Sequence, residues 1–543
     1  MNPRHARPTH GRILSAVAAL LLALTALPSA AQAQVQWTAV AEGYPTTAAE
    51  DVGFDRHTNH EEMWAYLRAL KAVTPHMYLG SYGQTWLGRD LAYAVFSRPL
   101  ISQPWEANTL DRPVLLLAAN VHGDERTFRE GLLILMRDFA TPGTEAYELL
   151  DEVTVLVAPQ INPDGFEAEP GGTRENSRFI DLNRDYVKLE HPAIANYVGN
   201  LVNEWRPHLY IDGHNGGSRP YNLNYQCPSH ADPAPEITLL CDDEIFPAID
   251  AKLDGEGYRS WYYTGGNEEA WRVGGSQARI GRNYGGFVNS VAILFEAPNQ
   301  TLDVGARAGY LGYLAVVEWA AGNAELLTSV IAEANAETIA MGAEPRGEIT
   351  TEMEYEAEEY TVDYLLVENG GRGTDPEEEV DAVLVEGAQL MKKPVVLASR
   401  PRPWAYVLPP YATDAVAMLQ RHGIAVEQLT EETELTVDAY TVAGVSHERA
   451  YDHAAATVVD VGEVVTLQET FPPHSYVVRT AQQLGRLVGH MLEPETEDNV
   501  VYWNTLDAYL PRSADDVQGD GPPVVPIYKL MRPMALPTEL LRD

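Results

Sequence analysis

The chain has 543 residues, of which 45% are hydrophobic and 21% charged, a composition that excludes a disordered or fibrous protein. This length exceeds that of one ordinary domain, so we expect more than one. The formal net charge of -40 argues strongly against nucleic acid as a partner, because phosphate binding requires clustered Lys and Arg.

The first 33 residues have the three parts of a secretory signal peptide. Three arginines and no acidic residue precede an apolar run (residues 13–27), which is followed by the small-x-small end Ala31-Gln32-Ala33. The run is shorter than the roughly 20 residues that a membrane-spanning helix needs, which argues against an N-terminal anchor. We therefore expect cleavage near Ala33, a mature chain that begins at Gln34 without a transmembrane anchor, and a secreted or periplasmic protein.

Residues 34–345 have the pattern of an α/β domain. An amphipathic helix is predicted around Glu61–Ala72, and a hairpin over Leu79–Phe96. From Pro113 onwards, short apolar runs alternate with helical stretches. These predict strands at Val114–Ala119, Val153–Pro159, His208–Asp212 and Val291–Phe295, helices at Glu125–Ala140 and Pro192–Trp205, and a long helical region over Ala306–Ala340. Such alternation predicts a mostly parallel, twisted mixed sheet flanked by helices.

A break at Met341–Ile349 separates a second, more acidic region. It has β-rich runs at Tyr360–Val367 and Ala456–Leu467 and a βαβ pattern over residues 404–429. We predict that residues 346–543 form a smaller, β-rich α/β accessory domain, whose role the sequence does not indicate. Its histidines, His447 and His453, are interpreted as polar loop residues.

The sharpest local motif is Val121-His122-Gly123-Asp124-Glu125, directly after the predicted strand Val114–Ala119. A strand that runs into a turn and a helix places His122 and Glu125 at the carboxyl edge of the sheet, where open α/β sheets bind ligands. Imidazole nitrogen and carboxylate oxygen are both zinc donors. The spacing alone is also common in solvated turns, so the pair needs further support.

Two more predicted strands end in ionisable residues. His214 follows the strand His208–Asp212, and Glu296 follows the strand Val291–Phe295. Each residue alone is compatible with a loop cap or a surface ion pair. Together with His122 and Glu125 they predict one site, because the carboxyl ends of parallel strands meet at the same edge of a sheet.

A dense polar stretch lies between these strands, with the motifs INPDGFE, TREN and DLNRDY over residues 161–186. Arginines near a metal can bind a carboxylate through two parallel hydrogen bonds, or stabilise the oxyanion that forms when water attacks a carbonyl. The alternative is a surface network of ion pairs in an acidic protein.

The motifs HGDE, INPDGFE, TREN, DLNRDY, IDGH and LFEAP, in this order, resemble the zinc metallocarboxypeptidase family over roughly residues 60–325. The resemblance implies a carboxypeptidase-like fold, one Zn²⁺ per chain, and a peptide or protein substrate with a free C-terminus. The site residues that it implies are the zinc ligands His122, Glu125 and His214, the general base Glu296, Arg174 for the scissile carbonyl, Asn183 and Arg184 for the substrate's terminal carboxylate, and Asp181 to orient a ligand histidine.

Two features depart from the family pattern. The substrate-capping tyrosine is expected where Ala270 and Trp271 stand; of the nearby tyrosines Tyr262, Tyr263 and Tyr284, we take Tyr284 as the candidate. The specificity-pocket region is followed by Arg279 and Arg282. These two arginines suggest a substrate with an acidic terminal side chain, although a surface role for both is the favoured interpretation.

Three questions stay open at this point. The same zinc chemistry could act on another amide, as an amidohydrolase or endopeptidase on cell-wall peptides or acyl amino acids. A non-catalytic binding protein on the same fold is the alternative from a different class. Cys227 and Cys241 either pair or remain two buried thiols, and the oligomeric state is not indicated.

Overall fold

The computed structural model describes residues 35–449, 453–511 and 523–542. The predicted signal peptide and the start of the mature chain at Gln34 lie outside the described residues.

The strands are β1 (Met77–Gln84), β2 (Asp90–Phe96), β3 (Val114–Ala119), β4 (Thr154–Ala158), β5 (Leu209–Asn215), β6 (Leu223–Gln226), β7 (Ser260–Tyr262), β8 (Thr264–Gly266), β9 (Ala270–Val273), β10 (Val291–Ala297), β11 (Glu348–Leu366), β12 (Val383–Pro401), β13 (Ala405–Leu408), β14 (Glu427–Leu429), β15 (Thr433–Glu448), β16 (Ala456–Phe471), β17 (Tyr476–Arg479), β18 (Val524–Leu530) and β19 (Thr538–Leu540). The helices are α1 (Ala48–Asp51), α2 (His60–Val73), α3 (Pro104–Ala107), α4 (Thr127–Ala140), α5 (Glu145–Glu148), α6 (Pro163–Phe166), α7 (Pro192–Tyr197), α8 (Pro235–Leu240), α9 (Phe246–Gly255), α10 (Gly281–Phe287), α11 (Leu302–Gly322), α12 (Ala324–Ala343), α13 (Thr413–Arg421) and α14 (Gly485–Leu492).

The largest sheet has eight strands in the order β1-β2-β4-β3-β5-β10-β6-β7. Its central strands β4, β3, β5 and β10 are parallel neighbours, and antiparallel strands flank them. This confirms the predicted α/β class with a mixed sheet. Glu296 on β10 lies opposite His214 on β5, and Ala119 at the end of β3 lies opposite Gly213. The carboxyl ends of three strands therefore meet at one edge.

Helices cover both faces of this sheet, because successive side chains of each buried strand point to opposite sides. Leu115 and Leu117 belong to one apolar core with α2, α4, α9 and α11, whereas Leu116 and Ala118 belong to a second core with α7 and α10.

The long helical region predicted over Ala306–Ala340 is confirmed, with a break inside it. It consists of two helices, α11 and α12, which meet at an angle of 84°. The break is at Asn323, whose φ of -128° is not helical. Among the described residues, no single helix is long and apolar enough to cross a membrane, and only the bent pair α11–α12 passes that test when its halves are taken together.

The region after residue 346 is closely integrated with the preceding part. The β11–β12 ribbon joins β9 and β8 in a four-stranded sheet, and a seven-stranded sheet follows in the order β16-β15-β18-β13-β17-β14-β19. The predicted βαβ unit is present as β13, α13 and β14, with β17 lying between the two strands. Side chains of α13 and α14 share the second core with α7 and α10. A separate domain from residue 346 stays a prediction, and its boundary falls in the link between α12 and β11.

The structure changes the interpretation of both histidines named in this region. His453 lies outside the helices and strands, as predicted, but it is buried: only 8% of it is exposed, and its Nδ1 lies 2.8 Å from a carboxylate oxygen of Glu190. His447 is exposed, but it lies on strand β15 and not in a loop. The question left open for the cysteines is answered by a disulfide between Cys227 and Cys241.

Candidate metal centre and substrate site

The loop that carries His122 and Glu125 is held by its neighbour Asn120. This residue has a φ of +61°, a left-handed conformation that Asn tolerates better than most side chains. Its side-chain amide donates to the carbonyl oxygens of His122 at 2.7 Å and Glu125 at 3.0 Å. Its backbone N–H donates to Gly213 on β5 at 3.1 Å, so the loop and the neighbouring strand end are fixed together.

Three potential zinc donors converge on one point. The Nδ1 atoms of His122 and His214 each lie 2.8 Å from the same Oε2 of Glu125, and 3.1 Å from each other. Ligand atoms on one tetrahedral zinc are separated by about 3.3 Å, given its bond lengths. This His₂Glu set therefore fits a zinc ion, and a small expansion of the cluster would accommodate it.

Each histidine is oriented from behind by a carboxylate. The Nε2 of His122 lies 2.9 Å from Asp181, and the Nε2 of His214 lies 2.9 Å from Asp212. These contacts place the Nε2 proton on the carboxylate side and leave Nδ1 as the lone-pair donor towards the metal. Asp212 was missed by the sequence reasoning. Its signal is the spacing of two from His214 on one strand, which puts both side chains on the same face.

Glu296 closes the site from β10. It is 7% exposed, and among the described residues its Oε2 has no hydrogen-bond partner. A Cβ on Gly216 would lie 2.5 Å from that oxygen, so the carboxylate depends on glycine at this position. Burial raises the pKa of Glu296 to about 7, with the negative charge of Glu125 contributing in the same direction. Such a carboxylate is suited to exchange a proton near neutral pH.

Arg174 lies against the donor cluster. Its guanidinium donates to Asp181 at 3.0 Å and Glu125 at 3.2 Å, while 39% of the side chain stays exposed. Its backbone carbonyl accepts from the N–H of Gly123 at 3.2 Å. The cation is therefore anchored on one side and accessible on the other.

Asn183 and Arg184 lie beside the same centre. The Asn183 amide nitrogen is 3.4 Å from Nε2 of His214, and its oxygen accepts from the N–H of Gly281 at 2.8 Å. Arg184 is half-buried and donates to the carbonyl oxygen of Asn183 at 2.8 Å. The structure thus brings together all the predicted site residues except one.

The exception is Tyr284. It is fully buried, and its hydroxyl is hydrogen bonded to Nδ1 of His422 at 3.0 Å. A side chain enclosed in this way cannot reach a substrate. The structure therefore contradicts the choice of Tyr284 as the capping tyrosine. Tyr263 is half-buried, and the nearby charge of Glu296 is the first cause that raises its pKa, with burial second. It is the better candidate.

The favoured surface role for Arg279 and Arg282 is also wrong, because both are only 4% exposed. Arg279 lies two residues before α10 and forms a 3.0 Å ion pair with the buried Asp498. This ion pair links the start of α10 to the C-terminal region. Arg282 donates to the carbonyl oxygen of Gly274 at 2.7 Å. Burial lowers the pKa of Arg282 to about 10, and the charges of Arg184 and Glu296 also act on it. Arg282 is therefore a buried cation next to the substrate site.

Comparisons of the sequence with known proteins relate this chain to carboxypeptidases. Residues 63–242 match the zinc carboxypeptidase family. Carboxypeptidase 2 of Trichophyton rubrum is 25% identical over 481 residues, which cover 83% of this chain and 86% of that one. Mouse carboxypeptidase M is 32% identical over 153 residues, 26% of this chain and 32% of that one. A solved metallo-carboxypeptidase from Pseudomonas aeruginosa has 21% identity and a TM-score of 0.39, covering 50% of this chain and 69% of that one.

The class of protein is therefore an enzyme, a zinc-dependent metallopeptidase. More particularly, residues 63–242 match a zinc carboxypeptidase domain, and the Trichophyton relatives that this chain matches over most of its length are carboxypeptidases.

Proposed function

We propose that this protein hydrolyses the C-terminal peptide bond of peptides, with one zinc ion held by His122, Glu125 and His214 and with Glu296 as general base. The observation that carries the proposal is the convergence of three zinc donors beside a buried carboxylate oxygen without a partner among the described residues. A binding protein without catalysis would have no use for such a carboxylate.

The residues divide the reaction among them. Zinc at this centre would supply Lewis acidity for the scissile carbonyl and lower the pKa of water towards about 7. Glu296 accepts the proton of the attacking water and passes it to the leaving amine. The exposed side of Arg174 donates to the carbonyl oxygen as negative charge develops there. Asn183 and Arg184 hold the free carboxylate of the substrate, and this requirement makes the enzyme an exopeptidase.

We further propose that the terminal residue of the preferred substrate is acidic. Arg282 adds a second cation near Arg184. Tyr263 and Tyr355 are also near enough to Arg282 to act on its pKa. Tyr355 belongs to β11 and donates to Ser229 at 2.9 Å. The region after residue 346 thus contributes a side chain close to the substrate site, which gives it a role in shaping specificity.

The test is a release assay on matched peptides with free and amidated C-termini, with and without chelator. We expect single terminal residues from the free peptides only, and no release after chelation. Internal cleavage of the amidated set would favour an endopeptidase, and release of acyl amino acids alone would favour the amidohydrolase alternative. Stoichiometric zinc with no hydrolysis of any substrate would favour a binding protein.

We also propose export of the protein, on the strength of the signal-like residues 1–33. N-terminal sequencing of protein recovered outside the cytoplasm should begin near Gln34. Recovery of an intact Met1 terminus from that fraction would contradict the proposal.

A further inference from the structure

A second cluster of metal-ligating side chains lies apart from the catalytic centre. His230 and Asp232 are in the segment between β6 and α8, and His490 is on α14 near the C-terminal end of the chain. One ligand atom from each residue lies within 4.8 Å of the other two. The disulfide between Cys227 and Cys241 closes the loop that carries His230 and Asp232, so this half of the cluster is covalently restrained.

His490 is the most unusual member. It is 1% exposed, and among the described residues neither of its ring nitrogens forms a hydrogen bond of good geometry, although the backbone of Glu497 lies near the ring. Burying an imidazole without partners is costly, because its nitrogens lose their hydrogen bonds to water. A neutral imidazole in this position would offer a nitrogen lone pair to a metal ion.

The two imidazoles face a small cavity. His230 and His490 line a space of about 120 Å³ together with Glu497 and the Ser276–Ala278 segment. The rings of the two histidines are 5.4 Å apart, and Phe287 packs against both, at 4.9 Å and 4.6 Å between ring centroids. The apolar ring restricts their orientation, and the cavity leaves room for an ion.

We propose that His230, Asp232 and His490 bind a second divalent transition-metal ion, zinc in the first instance. Two imidazoles and a carboxylate are a donor set that suits zinc. The donor atoms lie within 4.8 Å of one another and would approach to about 3.3 Å around a bound ion. Glu497 also lines the cavity, where its carboxylate lies 3.8 Å from the guanidinium of Arg279.

The surrounding charges set the strength of this site. Asp232 accepts from the N–H of Thr350 at 3.1 Å, and its backbone carbonyl accepts from Arg486. Arg279 also acts on His490. The positive charges of Arg486 and Arg279 weaken the binding of a metal ion, whereas the negative charges of Asp232 and Glu497 strengthen it. The ion would join the disulfide loop to α14, so its role is to fasten the C-terminal region to the zinc carboxypeptidase domain.

The experiment counts zinc in the full-length protein, stripped with chelator, reloaded with Zn²⁺ and measured by elemental analysis and calorimetry. His490→Gln and Asp232→Asn are compared with the wild type. Asp232→Asn keeps an acceptor for Thr350 and removes the charge, so it remains informative if His490→Gln does not fold. His453→Gln is the matched control, because His453 is a buried histidine in another His/Glu group.

We expect one zinc fewer per chain in His490→Gln than in the wild type, at least a tenfold weaker second site in Asp232→Asn, and no change in His453→Gln. Added Zn²⁺ should raise the unfolding temperature of the wild type more than that of His490→Gln. Equal zinc content in wild type, His490→Gln and Asp232→Asn would overturn the proposal, as would loss of the second zinc in His453→Gln instead. The readout is a difference between variants, so it stands independently of the catalytic activity.

Discussion

Replacement of Asp212 by Asn tests whether the carboxylates behind the histidines tune the metal centre. Asp212 is 2% exposed and lies 2.9 Å from Nε2 of His214. An asparagine that turns its amide nitrogen to Nε2 moves the ring proton to Nδ1, which then no longer offers a lone pair to zinc. One that turns its oxygen keeps a hydrogen bond, but without the negative charge. Loss of such a partner typically weakens metal binding by about 10- to 100-fold, or about 1.4–2.7 kcal/mol.

The assay is the zinc dissociation constant measured by competition with a chelator. Asp138→Asn is the matched control, because Asp138 is also a buried carboxylate, bonded to the hydroxyl of Tyr310 at 2.6 Å and away from the donor cluster. We expect weaker zinc binding in Asp212→Asn and wild-type binding in Asp138→Asn. Wild-type affinity in Asp212→Asn, or an equal loss in both variants, would refute the reasoning.

Three further predictions concern specificity, stability and pH. Arg282→Gln should lower kcat/KM for peptides ending in Asp or Glu by about tenfold or more relative to those ending in Leu; an unchanged ratio would remove Arg282 from the substrate pocket. Arg279→Met should instead destabilise the protein by about 3 kcal/mol, because it leaves Asp498 buried without its ion-pair partner, and denaturant unfolding measures this. Burial lowers the pKa of His422 to about 4, so its contribution to stability is complete above the unfolded pKa of about 6.5 and is lost as the pH falls towards 4. Thermal unfolding of His422→Gln should therefore depend less on pH over this range than that of the wild type. An equal pH dependence of the two proteins would contradict the lowered pKa of His422.

The catalytic edge of the sheet could be predicted because its signals are local. His122, His214 and Glu296 each follow an apolar strand, and parallel strands bring their carboxyl ends together. Asp181 was named through the family resemblance, whereas Asp212 was not, although its contact with His214 is equivalent. A spacing of two residues on a strand is a weak signal until the pairing of the strand is known.

The contacts between distant parts of the chain could not be predicted. Arg279 and Asp498 are 219 residues apart, and Tyr284 meets His422 across 138 residues. Nothing in the local pattern around Arg279 or Tyr284 distinguishes a buried residue from an exposed one. The surface position expected for Arg279 and the capping role expected for Tyr284 fail for this reason, because the C-terminal region packs on the second face of the sheet and pairs with both residues.

The break between α11 and α12 shows a different limit of prediction from the sequence. Residues 306–340 keep an apolar, helix-forming composition throughout, so the pattern predicts a long helical region and does not locate a break within it. The bend at Asn323 is imposed by packing, since α11 follows the core of the sheet and α12 turns towards α8 and α14. Helical propensity decides that these residues are helical, and tertiary contacts decide the direction.

The central claim is that Glu296 acts as the base at a zinc centre built by His122, Glu125 and His214, and Glu296→Gln tests it most directly. The substitution keeps the size of the side chain beside Gly216 and removes its ability to accept a proton. The measurement is kcat/KM on a peptide with a free C-terminus, together with zinc content of the same preparation. We expect full zinc occupancy with a loss of about 10²- to 10⁴-fold in rate. A zinc-loaded Glu296→Gln enzyme that hydrolyses the peptide at the wild-type rate would contradict the account.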